Sequence, residues 1–193
     1  MRSEGSAPET LGGLIMRSFK LLSALLAAIA ALILGAASAF AAITVKTPPT
    51  ATFSGASVTV TGGNFSGLGN IPAFAVVTAT GVANYNCQNP QGNPSPGQNP
   101  VPAQSGSSEP APLGNSDHNG RGTIPPTTAS VTAPPTPTAQ QVGCGGTGNT
   151  KWTVVLTSLT ATGAHLEVRQ PEGGTLVFCA NFTLGGPATG TPC

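Results

Sequence analysis

The chain has 193 residues, with 7 Lys and Arg against 6 Asp and Glu, so 7% of it is charged and its net charge is +1. So few charges of either sign exclude an electrostatic footprint for nucleic acid or an anionic membrane surface. A hydrophobic content of 39% excludes the composition of a disordered chain.

In chain order, the first feature is an export signal. Met16-Arg-Ser-Phe-Lys20 is basic, residues 21–34 are apolar, and small residues follow to Ala42. That order predicts a secretory signal peptide, helical through its apolar run and cleaved after Ala39 or Ala41. The run is shorter than the roughly 20 residues needed to span a bilayer, so the mature chain is expected to be extracellular, with no membrane span. Glu4 and Glu9 precede the basic segment, which an export signal does not require, so Met16 competes with Met1 as the start. Residues 1–42 are therefore read as extension and signal peptide, and 43–193 as a single secreted domain.

Strands follow. Residues 56–61 (ASVTVT) alternate, with Val58 and Val60 on one side, before a Gly62-Gly63-Asn64 turn signal. Residues 73–85 form a longer run ending just before Cys87. The segment 88–143 is an excursion rich in Pro and Gly, with edge strands expected near 101–107 and 121–131, where proline is tolerated. Residues 152–159 and 163–169 read as two strands of a hairpin turning at Ala161-Thr162. In the second, Ala164, Leu166 and Val168 face one way and His165, Glu167 and Arg169 the other. The last run, 175–184, places Leu176, Phe178, Ala180, Phe182 and Leu184 on one face and Cys179 on the opposite one. Short strands, turn signals and no helical period after the export signal predict an all-β fold. An immunoglobulin-like antiparallel β-sandwich is the leading form and a small β-barrel the alternative.

The four cysteines, Cys87, Cys144, Cys179 and Cys193, all lie in the exported part. An even count in an oxidising compartment predicts two disulfides, and three pairings are open. Their wide spacing does not suit zinc. Cys87 to Cys144 would tie the ends of the proline-rich excursion together, making it an ordered loop and not a tether between domains. Cys179 to Cys193 would then clip the tail onto the last strand.

Six residue groups stand out in combination: Phe65-Ser-Gly-Leu-Gly-Asn70, Val76-Val-Thr-Ala-Thr-Gly81, Cys87 with Asn99-Pro100, Asn119-Gly-Arg121, residues 134–144 and Trp152-Thr-Val. Together they resemble small secreted proteins of actinomycete type. The resemblance covers roughly residues 57–184 and implies one domain containing the Cys87 to Cys144 pair. It brings no activity, cofactor or catalytic residue with it, and the Cys179 and Cys193 pair departs from the group's pattern.

Chemistry is sparse. The exported part offers His118 and His165 as bases for a hydroxyl nucleophile, which needs a base oriented by a carboxylate. His118 adjoins Asp117 in a polar turn, and His165 shares a strand face with Glu167; both read as solvated. Glu167 and Glu172 are the nearest pair for glycoside hydrolysis, with Glu172 placed in a turn. Asn115, Asp117 and Asn119 alternate as calcium ligands do, but the run is short of acid. Asn64-Phe-Ser66 and Asn181-Phe-Thr183 match the glycosylation acceptor pattern. No catalytic, cofactor or metal residue is assigned, and no cofactor is expected. The expectation is a structural or binding protein of the cell surface or extracellular space, with a cell-envelope component, glycan or protein as partner. A secreted protease inhibitor or glycan-binding module is the alternative and a hydrolase the weaker one.

Overall fold

The computed structural model of the chain describes residues 43–114, 120–144 and 151–193. The export signal expected at 1–42, and Asn115, Asp117, His118 and Asn119, lie outside them. Among the described residues every regular element is a strand, and no helix is long and apolar enough to cross a membrane. The described residues belong to one compact unit, Ala41–Cys193.

Two antiparallel sheets pack face to face, and no closed barrel forms. The smaller has the order β1 (Thr44–Ser54), β2 (Ser57–Ser66), β8 (Gly122–Ser130). The larger runs β11 (Thr191–Pro192), β10 (Thr175–Thr183), β9 (Thr153–Gln170), β3 (Phe74–Gln88). Its far edge is built from β4 (Pro94–Pro96), β5 (Val101–Pro102), β6 (Gly106–Ser107) and β7 (Ala111–Pro112), all paired to β3. The alternation read from the sequence points Val58 and Val60 of β2 inward, against Ala75, Val77 and Ala79 of β3 and Leu166 and Val168 of β9. Phe65 and Phe182 are the buried aromatic members of the same core.

β1 is an element that the sequence reading did not expect. Its Pro48 and Pro49 argue against a strand interior, yet β1 lies at a sheet edge, where a missing N–H costs no ladder bond. The β1–β2 hairpin turns at Gly55, whose φ of 54° suits a tight two-residue loop.

The expected hairpin at Ala161-Thr162 is absent. β9 runs unbroken from Thr153 to Gln170 and pairs with β3 along its whole length. Gly81 pairs with Ala161 and Thr80 with Gly163, so Thr162 is an extra residue absorbed as a bulge. The hairpin partner of β9 is β10, reached through the Pro171-Glu-Gly-Gly174 turn. A second shift, between Leu176 and Phe178, breaks the apolar row expected on β10. Ala180 and Phe182 are buried as expected, whereas Leu176 and Leu184 are exposed.

The proline-rich excursion is ordered and lies along β3 as a punctuated edge strand. Residues 94–112 run antiparallel to β3, from Gln88 paired with Pro94 to Phe74 paired with Pro112. Side chains bridge the interruptions. The Tyr85 N–H donates to Asn99 Oδ1 at 2.8 Å, and Asn99 Nδ2 donates to the Tyr85 carbonyl at 2.7 Å, so one amide side chain replaces a strand residue. The Ser108 hydroxyl accepts from the Val77 N–H at 3.0 Å. Paired bridges at Gln104 with Thr132 and Gly114 with Thr123 join this edge to the end of the smaller sheet. Gly106 permits that approach, since a Cβ there would run into the Ser130 carbonyl oxygen.

The two disulfides are Cys87–Cys144 and Cys179–Cys193, with Cα separations of 5.5 and 5.7 Å. Cys87, Val142 and Cys144 form a satellite core against which Val101, Ala139, Trp152 and Val154 pack. Tyr85 adjoins this end of β3. It is 1% exposed, and among the described residues its buried hydroxyl has no hydrogen-bond partner. Tyr85→Phe removes an unsatisfied polar atom and keeps the ring, so it is expected to stabilise the protein by about 1 kcal/mol. A thermal melt should show a rise of about 3 °C, and a fall would mean the hydroxyl has a partner.

Candidate functional site

The outer face of the larger sheet gathers the polar side chains that the core rejects. Cross-strand registry sets Thr78, His165 and Asn181 in one row, with Ser107 beyond Thr78. Val76, Glu167 and Cys179 make the next row, and Phe74, Arg169 and Leu176 the third. Registry, and not sequence proximity, brings these residues together.

Hydrogen bonds chain the rows. His165 Nδ1 donates to Asn181 Oδ1 at 2.7 Å, and His165 Nε2 lies 3.5 Å from Glu167 Oε1. Arg169 Nε donates to Glu167 Oε2 at 2.8 Å, and its Nη1 donates to the Gly174 carbonyl at 3.0 Å. The Arg169 guanidinium, bonded to Glu167, holds that carboxyl below the usual carboxylate range; His165 adds to the effect and partial burial opposes it. Across the row, the Thr78 and Ser107 hydroxyls share a 2.9 Å hydrogen bond.

His165 and Glu167 therefore meet on one face, as their spacing predicts, and Arg169 joins them. Both ring nitrogens of His165 face side-chain oxygens, a different geometry from a base held against a hydroxyl nucleophile. Glu167 is committed to Arg169 and His165, while Glu172 stands apart at the rim of a concavity. Among the described residues no three of His, Cys, Asp and Glu are grouped to hold a metal ion.

That concavity, of about 450 Å³, is lined by Phe74, Val76, Pro110, Arg169, Glu172 and Gly173. Its floor is apolar, from Phe74, Val76 and Pro110, and its rim carries one cation and one anion. Arg169 is held in place by Glu167 and Gly174, so its orientation is fixed before any ligand arrives. Sequence reasoning missed the floor. Phe74 and Val76 sit at alternate positions of the 73–85 run, so their shared face was available, but nothing local reveals that Pro110 returns beside them. A second concavity, of about 420 Å³, opens between Lys46 and Arg121. It holds Asn64, whose amide donates to Thr47 Oγ1 at 3.4 Å and accepts from Thr123 Oγ1 at 3.3 Å.

No protein-family model, curated protein or solved structure matches the chain.

Proposed function

We propose that the chain is a secreted, disulfide-stapled binding module that holds a short uncharged glycan of the cell envelope on the outer face of its larger sheet. The observation that carries this reading is the concavity floored by Phe74, Val76 and Pro110 and rimmed by Arg169 and Glu172. Sugar rings present apolar C–H faces and hydroxyl edges. An apolar floor accommodates the first, and one fixed donor with one acceptor serves the second. The Arg169 charge is already met by Glu167, which suits a ligand that brings no charge of its own.

An immunoglobulin-like class for the sandwich is supported by strand order. With β1 to β3 lettered A to C, the 94–112 edge C′, and β8 to β10 lettered E to G, the sheets are A-B-E and G-F-C-C′. The disulfides occupy other places than the inter-sheet bridge of antibody domains. Export rests on the signal pattern, and the two disulfides are compatible with it. The protease-inhibitor alternative needs a projecting loop, and the pairing of 94–112 along β3 weighs against one.

The test is a binding screen of the exported chain against envelope polysaccharides, with Phe74→Ala and Arg169→Ala as variants. Each is expected to weaken binding by about tenfold or more while leaving the melting temperature within a few degrees. Equal binding by wild type and both variants, or no binding to any glycan, overturns the reading.

A further inference from the structure

Among the described residues, the first half of β9 leaves a strand edge without a partner strand. β10 covers β9 from Gly163 to Gln170, and the chain then turns away through Gly185-Gly186 to β11. From Thr153 to Thr160, β9 pairs with β3 on one side, and among the described residues no strand pairs with its other side. This half of β9 reads TVVLTSLT, with no proline, glycine or charge. Val155 and Leu156 within it are 45% and 41% exposed.

Three other edges carry prolines. β1 has Pro48, Pro49 and Lys46; β8 has Pro125 and Pro126; the β4 to β7 edge has Pro94, Pro96, Pro102, Pro110 and Pro112. Proline withholds the N–H that an added strand would need, and charge opposes its approach. An uncharged, proline-free edge, with one bulge at Thr157, left bare beside such edges is a template for strand addition.

We propose that Thr153–Thr160 is the self-association edge of this protein, pairing antiparallel with the same segment of a second copy about a two-fold axis. A row of outward backbone N–H and C=O groups calls for an extended strand and no other element. Self-pairing brings no charge against its like, because residues 152–162 contain none. The nearest charge, Lys151, would lie at opposite ends of the paired segment, roughly 35 Å from its symmetry mate and beyond the screening distance at physiological salt. Two-fold pairing uses up this edge in both copies, so association through it closes at a dimer. The contact is short for a stable interface, so the dimer is weak, forming at micromolar or higher concentration.

Sedimentation equilibrium of the exported chain with both disulfides intact tests this, run as a concentration series. A monomer–dimer equilibrium is expected, together with hydrogen-exchange protection over Thr153–Thr160 that grows with concentration. Val155→Lys combined with Leu156→Lys should raise the dimer dissociation constant by about tenfold or more. Ile71→Lys, at a residue 47% exposed outside this edge, should leave it unchanged. Unchanged near-ultraviolet circular dichroism of the double variant shows that its fold is intact. A monomer at every concentration, an unaltered dimer in the double variant, or concentration-independent protection overturns the proposal.

Discussion

Replacing Cys87 and Cys144 together with alanine is expected to lower stability by about 4 kcal/mol, the chain-entropy value for a closed loop of this length. The bond spans 57 residues, and both cysteines are buried. It fastens residues 139–144 over the outer ends of β3 and β9, where Gln98 also donates to the Val142 carbonyl at 2.7 Å. Alanine is the proper replacement because serine would bury two hydroxyls beside Val142 and so add a desolvation cost. The chain's single tryptophan, Trp152, packs against this cluster and reports its loss directly. The second disulfide provides the contrast. Cys179–Cys193 spans 14 residues, for which the same model gives about 3 kcal/mol. However, it fastens a tail that pairs with β10 only at Pro192 and Thr191, and that tail can fray while both sheets stay folded. Its loss is expected to shift global unfolding by less than about 1 kcal/mol. Urea unfolding followed by Trp152 fluorescence checks both values. Equal costs for the two pairs would mean that the tail belongs to the cooperative unit.

The parts of this fold legible in the sequence are those set by a local period. Val58 and Val60, or Leu166 and Val168, lie inward because alternation on a half-buried sheet permits nothing else. Closure of the proline-rich excursion favours the Cys87 to Cys144 pair, and the structure has that pair. What misled was the assumption that a break in pattern is a turn. Ala161-Thr162-Gly163 interrupts the apolar row, but a bulge opposite Gly81 absorbs the interruption and the strand continues. Leu176 fails for the same reason, since one extra residue moves a side chain to the other face. Prolines misled in the opposite direction. In β1, and along residues 94–112, they mark sheet edges whose existence depends on partners far away in sequence. The candidate site divides along the same line. His165, Glu167 and Arg169 follow from one strand's alternation, whereas Asn181, Phe74 and Pro110 arrive through registry with other strands.

Phe65→Ala is expected to cost about 3 to 5 kcal/mol, a large share of the total stability of a domain this size. Phe65 comes from β2 and is 2% exposed. Its ring meets Phe178 of β10 edge to face, with centroids 5.2 Å apart and planes at 68°, so the pair joins the smaller sheet to the larger. The neighbours cannot close the space. A Cβ on Gly63 would already lie 3.0 Å from the Phe65 ring, but Gly63 has φ of 78°, a conformation that resists a larger residue moving in. Pro49, also buried beside it, is held by its own ring. Truncation therefore leaves a cavity, and the upper part of the range applies. A double-mutant cycle with Phe178→Leu should return a coupling of about 1 kcal/mol for the aromatic pair. Far-ultraviolet circular dichroism, which follows both sheets, should show the full loss in Phe65→Ala. Trp152 fluorescence should follow with the same midpoint if the satellite core unfolds with the main one. A Trp152 transition that stays at the wild-type midpoint would instead make the disulfide-bound end of β3 and β9 a separate cooperative unit. A cost under about 1 kcal/mol would mean that Phe65 does not join the sheets.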